Sequence, residues 1–329
     1  MARFQRLGFL WIVAWAILLG GCQTRPPASP TPTPAQPTAP SPTLAPRATA
    51  TPHPHTTPTA TATPTPSPTP QAFHPPHVRF AVIGDYGQAG YPEARVARLV
   101  HSWQPDFILT VGDNNYPEGS AETIEANIFQ YYGADIYAQR FFPALGNHDW
   151  GYGDISPYVA YLHPPGNGRY YDFAWGPVHI FVLDSCPPEP DGITANSKQA
   201  QWLQTRLAEA REPWKIIALH RPPYSSGPHG NTPDLQWPFA QWGATAVIAG
   251  HDHDYERIVR DGIVYFVNGL GGHPSRYPFQ DPPVAGSAIR FRDAHGAMLV
   301  SANAQRIVFQ FITTNGTLVD TYTLTTEQP

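Results

Sequence analysis

The sequence is poor in cysteine, in clustered basic residues and in long hydrophobic segments. Cys22 and Cys186 are the two cysteines among 329 residues, which excludes a scaffold held together by several disulfides. The formal net charge is −5, and Lys and Arg form no run, so recognition of a nucleic-acid backbone is not expected. The apolar run over residues 7–19 is too short to span a bilayer comfortably.

The N-terminal segment has the layout of a secretory signal peptide. Two arginines precede the apolar run, and two glycines follow it before Cys22. Residues 19–22 also resemble the lipobox of bacterial lipoproteins, which implies cleavage before Cys22 and attachment of lipid to its sulfur. We therefore predict a signal peptide over residues 1–21 and an exported chain anchored through lipid to the outer face of the cell membrane. Simple secretion is the alternative.

A second segment, residues 22–76, consists mostly of Pro, Thr, Ala and Ser and contains nearly half of the 40 prolines. This composition cannot bury a core and favours extended polyproline II, so we predict a tether between the lipid and a folded domain. Residues 77–329 are enough for one large domain. Cys186 is predicted to be a small core residue of that domain.

The rest of the chain alternates apolar strands with amphipathic helices. Helical periodicity is present over residues 93–103 and 197–211, with Ser197 as a possible cap. Strand-like patterns cover residues 78–83, 107–111, 178–183, 215–219, 246–249, 263–267, 306–312 and 317–324. Helices early and strands late indicate an α/β fold with two packed sheets flanked by helices.

Polar side chains with metal-binding chemistry follow these strands directly. They occur in five segments: Gly84-Asp85, Gly112-Asp113-Asn114-Asn115-Tyr116, Gly146-Asn147-His148-Asp149, His220, and Gly250-His251-Asp252-His253. Side chains at the carboxyl ends of parallel strands converge on one crevice. A single Gly-Asp pair is more often a turn, and a single buried histidine is more often a core residue. A chance occurrence of all five segments in this order has a much lower probability than a chance occurrence of any one of them.

In this order the segments resemble the pattern of the calcineurin-like metallophosphoesterase superfamily: GDxx, GDxx, GNH[ED], xxxH and GHxH. Tyr116, three residues after Asp113, narrows the resemblance to the purple acid phosphatases, whose second motif GDxxY contains a tyrosine that binds iron. The sequence is most similar to their small, single-domain, tartrate-resistant type. The resemblance covers residues 80–324 and implies a four-layer αββα sandwich of two mixed β-sheets flanked by helices.

The resemblance also implies a dinuclear metal centre. The ligands that it implies are Asp85, Asp113, Tyr116 and His253 for one metal, and Asp113, Asn147, His220 and His251 for the other. Asp113 would bridge the two ions. The first set contains a carboxylate and a phenolate, which favour Fe(III), whereas the second set suits Fe(II), Zn(II) or Mn(II).

Other polar residues are expected to act on the substrate. The resemblance implies that His148 contacts the phosphate and helps to protonate the leaving alkoxide. His229 is assigned the same class of role, although its loop could also be an ordinary surface turn. Asp149 is predicted to orient His148 through a hydrogen bond, with a simple loop carboxylate as the alternative. For His273 a structural role is favoured over a place at the site.

The expected reaction is hydrolysis of small phosphate monoesters outside the cytoplasm, by attack of a metal-bound hydroxide. Phosphodiesters, nucleotides and phosphoproteins are alternative substrates, and the irregular loops at residues 152–168 and 271–286 would decide among them. A non-catalytic, lipid-anchored binding module is a further alternative. The retention of every implied ligand argues against it.

Overall fold

The computed structural model describes residues 76–151 and 153–326. Its strands are β1 (His77–Ile83), β2 (Phe107–Thr110), β3 (Phe141–Phe142), β4 (Tyr171–Trp175), β5 (Val178–Val182), β6 (Trp214–Ala218), β7 (Ala246–Ala249), β8 (Tyr255–Arg260), β9 (Ile263–Asn268), β10 (Ser287–Phe291), β11 (Gly296–Asn303), β12 (Arg306–Thr313) and β13 (Leu318–Thr325). Its α-helices are α1 (Tyr91–Ser102), α2 (Ala121–Ile124), α3 (Gln130–Tyr137), α4 (Asn147–Trp150), α5 (Ser156–Leu162) and α6 (Lys198–Glu209). A π-helical segment, Glu125–Phe129, joins α2 to α3, and Pro233–Leu235 forms a 3₁₀ turn.

The predicted signal peptide, the lipid-attachment site at Cys22 and the tether up to residue 75 lie outside the described residues. So does Tyr152, at the start of one of the loops expected to affect specificity. Within the part of the chain that the structure describes, no helix is both long enough and apolar enough to cross a membrane.

The strands form two mixed sheets. The first has six strands in the order β13-β12-β11-β1-β2-β3, with β1, β2 and β3 parallel and the others antiparallel. The second has seven strands in the order β10-β8-β9-β7-β6-β5-β4, in which β5, β6, β7 and β9 are parallel. Apart from β3 at the edge of the first sheet, the parallel strands lie inside their sheets, where the near-continuous apolar runs of the sequence are buried on both faces.

The sheets pack face to face and are covered on both outer sides by helices. Phe80 and Val82 of β1 belong to the core between the sheets, while Ala81 and Ile83 point to the opposite face and pack with α1. On the second sheet, Phe181 packs outward with residues of α6. Three apolar layers therefore separate four structural layers, which confirms the predicted αββα sandwich.

Most of the predicted elements are present with small shifts at their ends. Helix α6 begins directly after Ser197, whose hydroxyl oxygen accepts a hydrogen bond from Ala200 N at 3.1 Å, so the predicted cap is confirmed. Cys186 is fully buried in the core, as predicted, and forms no disulfide within the described part of the chain. The helical stretch from α2 to α3 was not predicted, although buried apolar residues recur there at the spacing of one helical face: Ile124, Ile128, Tyr132 and Ile136.

Candidate active site

The predicted ligands lie at the carboxyl ends of parallel strands from both sheets, in loops or, for Asn147, at the start of α4. Asp85 follows β1 and Asp113 follows β2, while His220 and His251 follow β6 and β7. The crevice between the ends of these strands is therefore built from both sheets at once. All four side chains are buried.

Three of these residues have an unusual backbone conformation. Asp85, Asp113 and His251 have positive φ angles of 56°, 53° and 73°, a region that residues with a Cβ rarely occupy. The loop after β7 is fixed to the loop after β1 because His251 N donates to both carboxylate oxygens of Asp85, at 3.1 and 2.9 Å. Such strain clusters at functional sites, where the surrounding structure enforces it.

The first implied ligand set converges on one point. The hydroxyl of Tyr116 donates to Asp113 Oδ2 at 2.9 Å and lies 3.2 Å from His253 Nε2. The same nitrogen of His253 is 3.5 Å from Asp85 Oδ1. The other ring nitrogen of His253 is 3.0 Å from the carbonyl oxygen of Ser275, which leaves Nε2 directed at the site.

The second implied set converges beside the first. His220 Nε2 lies 3.0 Å from Asn147 Oδ1 and 3.2 Å from His251 Nδ1. It is also 3.4 Å from Asp113 Oδ1. His220 Nδ1 lies 2.9 Å from the carbonyl oxygen of Val111, so this nitrogen can donate there while Nε2 faces the other donors. Asp113 thus contacts both sets, one with each carboxylate oxygen.

This donor set fits a metal centre. Ligand atoms of Asp85, Asp113 and His220 all lie within 4.8 Å of one another. Carboxylate, phenol, amide and imidazole groups that point at one buried volume have the ligand chemistry of iron and zinc sites. The seven predicted ligands are therefore brought together, and the assignment of each one to a particular ion stays a prediction.

Glycines permit the close approach of these groups. A Cβ on Gly112 would lie 2.6 Å from His220 Nδ1, and one on Gly146 would lie 2.2 Å from Asp113 Oδ1. Gly112 also has a φ of 90°, which favours glycine. Gly112 and Gly146, each of which precedes a predicted ligand, thus have a packing reason.

Burial and neighbouring charges determine the protonation states of the side chains at the site. Burial alone would raise the pKa of Asp113, but the neighbouring His220 outweighs it and holds that pKa well below its usual range. Burial opposes protonation of His220, yet the carboxylate of Asp113 raises its pKa to about 9. Burial, followed by the charge of His220, lowers the pKa of His251 to about 2. Asp113 is thereby held as a carboxylate and His251 as a neutral imidazole, the states that bind metal, whereas His220 must release a proton when it binds a metal ion.

His148 lies at the edge of the centre, half-exposed, with Nε2 4.0 Å from Asp113 Oδ2. Its orientation differs from the prediction. His148 Nδ1 lies 2.5 Å from the carbonyl oxygen of Pro117, and Asp149 makes no hydrogen bond to it among the described contacts. The carboxylate of Asp149 instead accepts from Gly146 N at 2.8 Å and from Asn114 Nδ2 at 2.7 Å. Asp149 therefore links the loop that contains Asn114 to the loop that contains Gly146. It does not orient His148.

His229 reaches the site from its own loop. Its ring stacks on His251, with centroids 4.1 Å apart. The carboxylate oxygen Oδ1 of Asp252 accepts from His229 Nδ1 at 2.8 Å and from His229 N at 3.0 Å, while Ser225 Oγ donates to Oδ2 at 2.5 Å. Asp252 was not among the predicted residues. The sequence contained one signal for its importance, because Asp252 lies between the two histidines of the GHxH segment.

Two further residues near the centre were missed or assigned differently. The ring of His273 lies 4.5 Å from Tyr116 and 4.4 Å from His253, so this histidine is at the site and its favoured structural role was wrong. Tyr277 stacks on His253 with centroids 4.1 Å apart. Both belong to an irregular loop, where no periodic pattern indicates which side chains face the site.

A family model described as calcineurin-like phosphoesterase matches residues 78–255, a range that contains all seven predicted ligands. The chain belongs to this family. The chain is similar to tartrate-resistant acid phosphatase type 5 of Mus musculus, at 28% identity over an alignment of 255 residues that covers 64% of this chain and 75% of that protein. Phosphoenolpyruvate phosphatase of Allium cepa is 27% identical over 243 residues, covering 64% of this chain and 48% of that protein.

The calcineurin-like phosphoesterase assignment makes the chain a phosphoester hydrolase, and the group of Asp85, Asp113 and His220 could hold a metal ion. Among solved structures, purple acid phosphatase PPD1 from Lupinus luteus seeds has a TM-score of 0.62 at 18% identity, over 76% of this chain and 54% of that one. GAP50, described as the anchor in the inner membrane complex of Plasmodium, also has a TM-score of 0.62, at 17% identity over 77% and 90%. At these identities the likeness shows the fold alone, and a fold does not determine a function.

Proposed function

We propose that the chain is an exported phosphatase with two metal ions that hydrolyses phosphate monoesters in the manner of purple acid phosphatases. The observation that carries this proposal is the convergence of Tyr116 with Asp113 and His253, at 2.9 and 3.2 Å. A phenol among carboxylate and imidazole donors adds an anionic ligand to one side of the centre. That asymmetry favours a trivalent ion on the Tyr116 side and a divalent ion beside His220.

The donor sets suggest how the ions would be held. Fe(III) would be bound by the set containing Tyr116, and Fe(II), Zn(II) or Mn(II) by the set containing His220, with Asp113 between them. Two bound ions would clamp a phosphate, activate a water and stabilise the charge that develops in the transition state.

The protein supplies proton transfer through His148 and His229. In each imidazole Nδ1 can donate to a fixed acceptor, Pro117 O for one and Asp252 Oδ1 for the other. This arrangement leaves Nε2 of each ring for the substrate. A protonated imidazole can then donate from Nε2 to the leaving oxygen or to the phosphate, and it becomes neutral without reorienting.

A comparison of matched esters tests the proposed reaction. 4-Nitrophenyl phosphate and methyl 4-nitrophenyl phosphate share a leaving group, and we expect the monoester to have the higher kcat/KM. Removal of metal with a chelator should abolish turnover, and addition of iron and zinc should restore it. A higher kcat/KM for the diester would overturn the proposed substrate class, and no turnover after reconstitution would favour a binding module.

The export and lipid anchor are part of the proposal and are supported by the order of charged, apolar and small residues before Cys22. We expect the full chain to fractionate with membranes in a bacterial host that processes lipoproteins. Cys22→Ser should release it to the soluble extracytoplasmic fraction, because the attachment sulfur is lost. Cys186→Ser is the matched control and should stay with the membranes. Release of both variants, or of neither, would contradict the anchor.

A further inference from the structure

A cavity of about 520 Å³ opens beside the candidate metal centre. Tyr116, His148 and His253 belong both to the centre and to the lining of this cavity, and His273 and Tyr277 form another part of its wall. An ester whose phosphate lies at the centre would therefore extend its alcohol part into the cavity. The volume falls within the range of about 300–1,000 Å³ that is typical of small-molecule sites.

The wall contributed by His273 and Tyr277 is attached to the metal-binding loops. His273 N donates to Asp85 O at 2.9 Å, and Tyr277 N donates to His253 O at 3.0 Å. The Tyr277 ring lies almost parallel to the His253 ring, with an interplanar angle of 8°. These contacts and those of His273 with Tyr116 make an aromatic wall that is held in place before any ligand binds.

The cavity wall carries no fixed charge. Among the described residues that line it, none is Lys, Arg, Asp or Glu. Arg276 lies between His273 and Tyr277 in sequence, but its guanidinium donates to the backbone carbonyls of Arg292, at 3.2 Å, and Asp293. The uncharged amide of Gln88 is also part of the lining. His148, which the proposed mechanism uses in its protonated form, directs its proton to the leaving oxygen or the phosphate. A second anionic group on a substrate would thus lose water here without gaining a cationic side chain of its own.

We propose that this cavity binds the leaving alcohol and selects phosphate monoesters whose alcohol is uncharged and carries an aromatic ring. The proposal rests on the proposed phosphatase function and adds a substrate class to it. Aromatic walls favour a ring through edge and offset-stacked contacts. The missing counter-charge disfavours alcohols that carry a carboxylate or a further phosphate.

Phenyl phosphate and 4-carboxyphenyl phosphate test the charge selection, because they share the ring and the carboxylated phenol is at least as good a leaving group. With the metal-loaded wild type we expect kcat/KM for phenyl phosphate to be higher by about tenfold or more, as for a site that leaves a buried polar group unpaired. Equal values would overturn the proposal. Turnover of neither ester, nor of 4-nitrophenyl phosphate, would instead overturn the phosphatase function on which it rests.

Substitution of the aromatic wall tests the ring selection. His273→Ala and Tyr277→Ala should each raise KM for phenyl phosphate by about three- to tenfold, with a smaller change for ethyl phosphate, because each lost ring contact is worth about 0.5–1.5 kcal/mol. Tyr91→Ala, at an exposed position on α1, is the control and should change neither KM. An equal rise in KM for both esters, or a loss of bound metal, would indicate that His273 and Tyr277 have a structural role. Either result would overturn their assignment to ring selection.

A gain of function gives a second, independent test. Gln88→Lys places a cation in the cavity wall, and it should raise kcat/KM for 4-carboxyphenyl phosphate relative to phenyl phosphate by about tenfold, the effect of roughly 1.4 kcal/mol. Gln88→Met is the matched uncharged variant and should leave the ratio unchanged. A ratio that does not move with Gln88→Lys would place the leaving group outside this cavity.

Discussion

One oxygen of the buried Asp252 carboxylate accepts both the ring Nδ1 and the backbone N of His229, at 2.8 and 3.0 Å. This pair of contacts fixes the ring and its tautomer, so Nε2 points away from Asp252. We expect Asp252→Asn to lower kcat by about 10- to 100-fold, the usual effect of losing such a partner. Steady-state kinetics on 4-nitrophenyl phosphate, with metal content measured in parallel, will check this.

The control for this prediction is Asp261→Asn. That carboxylate accepts from Tyr224 OH and is more than half exposed, so its loss should leave kcat within about twofold, as for most surface changes. A normal kcat for Asp252→Asn with full metal content would mean that His229 needs no fixed orientation.

The Tyr116 hydroxyl is the group that distinguishes the proposed trivalent site. If it binds Fe(III) as a phenolate, the iron-loaded protein should show a visible charge-transfer band, and Tyr116→Phe should abolish this band. Tyr277→Phe keeps its stack on His253 and should retain the colour. Persistence of the band in Tyr116→Phe, or a colourless wild type that is active without iron, would contradict the assignment. Absorption spectroscopy with metal analysis makes the measurement.

Gly146 allows the backbone of one motif to touch the ligand of another. A methyl group there would lie 2.2 Å from Asp113 Oδ1, so Gly146→Ala must displace the shared carboxylate. We expect bound metal and kcat/KM to fall by at least about tenfold. Gly90→Ala meets nothing closer than 3.8 Å and should keep both. Equal metal content in the two variants would show that Asp113 is not a ligand.

The sequence was informative where polar residues follow several buried strands in a characteristic order. Asp85, Asp113 and His251 could be predicted because each follows a buried strand and a glycine. The contact between His229 and Asp252 could not, because a hydrogen bond across two irregular loops has no periodic signature. Membership of His273 in the site depends on a backbone hydrogen bond to Asp85, which only the folded chain defines.

The error over Asp149 has a similar cause. Adjacency in the GNHD segment suggests that Asp149 serves its neighbour His148, but the two side chains point in different directions from helix α4. Asp149 is buried against Gly146 and Asn114, whereas His148 faces Pro117 at the surface. Neighbours along a helix lie about 100° apart around its axis and rarely share a partner.

A buried carboxyl without a hydrogen bond should make stability depend on pH. Glu93 in α1 is fully buried, and neither of its carboxyl oxygens has a hydrogen-bond partner in the described part of the chain. Burial raises its pKa from 4.5 to about 10. Between these values the unfolded chain ionises Glu93 while the folded chain keeps it protonated. The free energy of unfolding should therefore fall as pH rises from about 4.5 towards 10.

Glu93→Gln mimics the protonated carboxyl and removes this penalty. We expect the variant to match the wild type at pH 4 and to be more stable at pH 8 by up to about 5 kcal/mol, because pH 8 lies about 3.5 units above the unfolded pKa and each unit is worth about 1.4 kcal/mol. Urea unfolding at the two pH values measures the difference. Glu209→Gln, at an exposed position of α6, should show no such dependence on pH. An equal effect of Glu93→Gln at both values would mean that Glu93 is already ionised and paired in the folded chain.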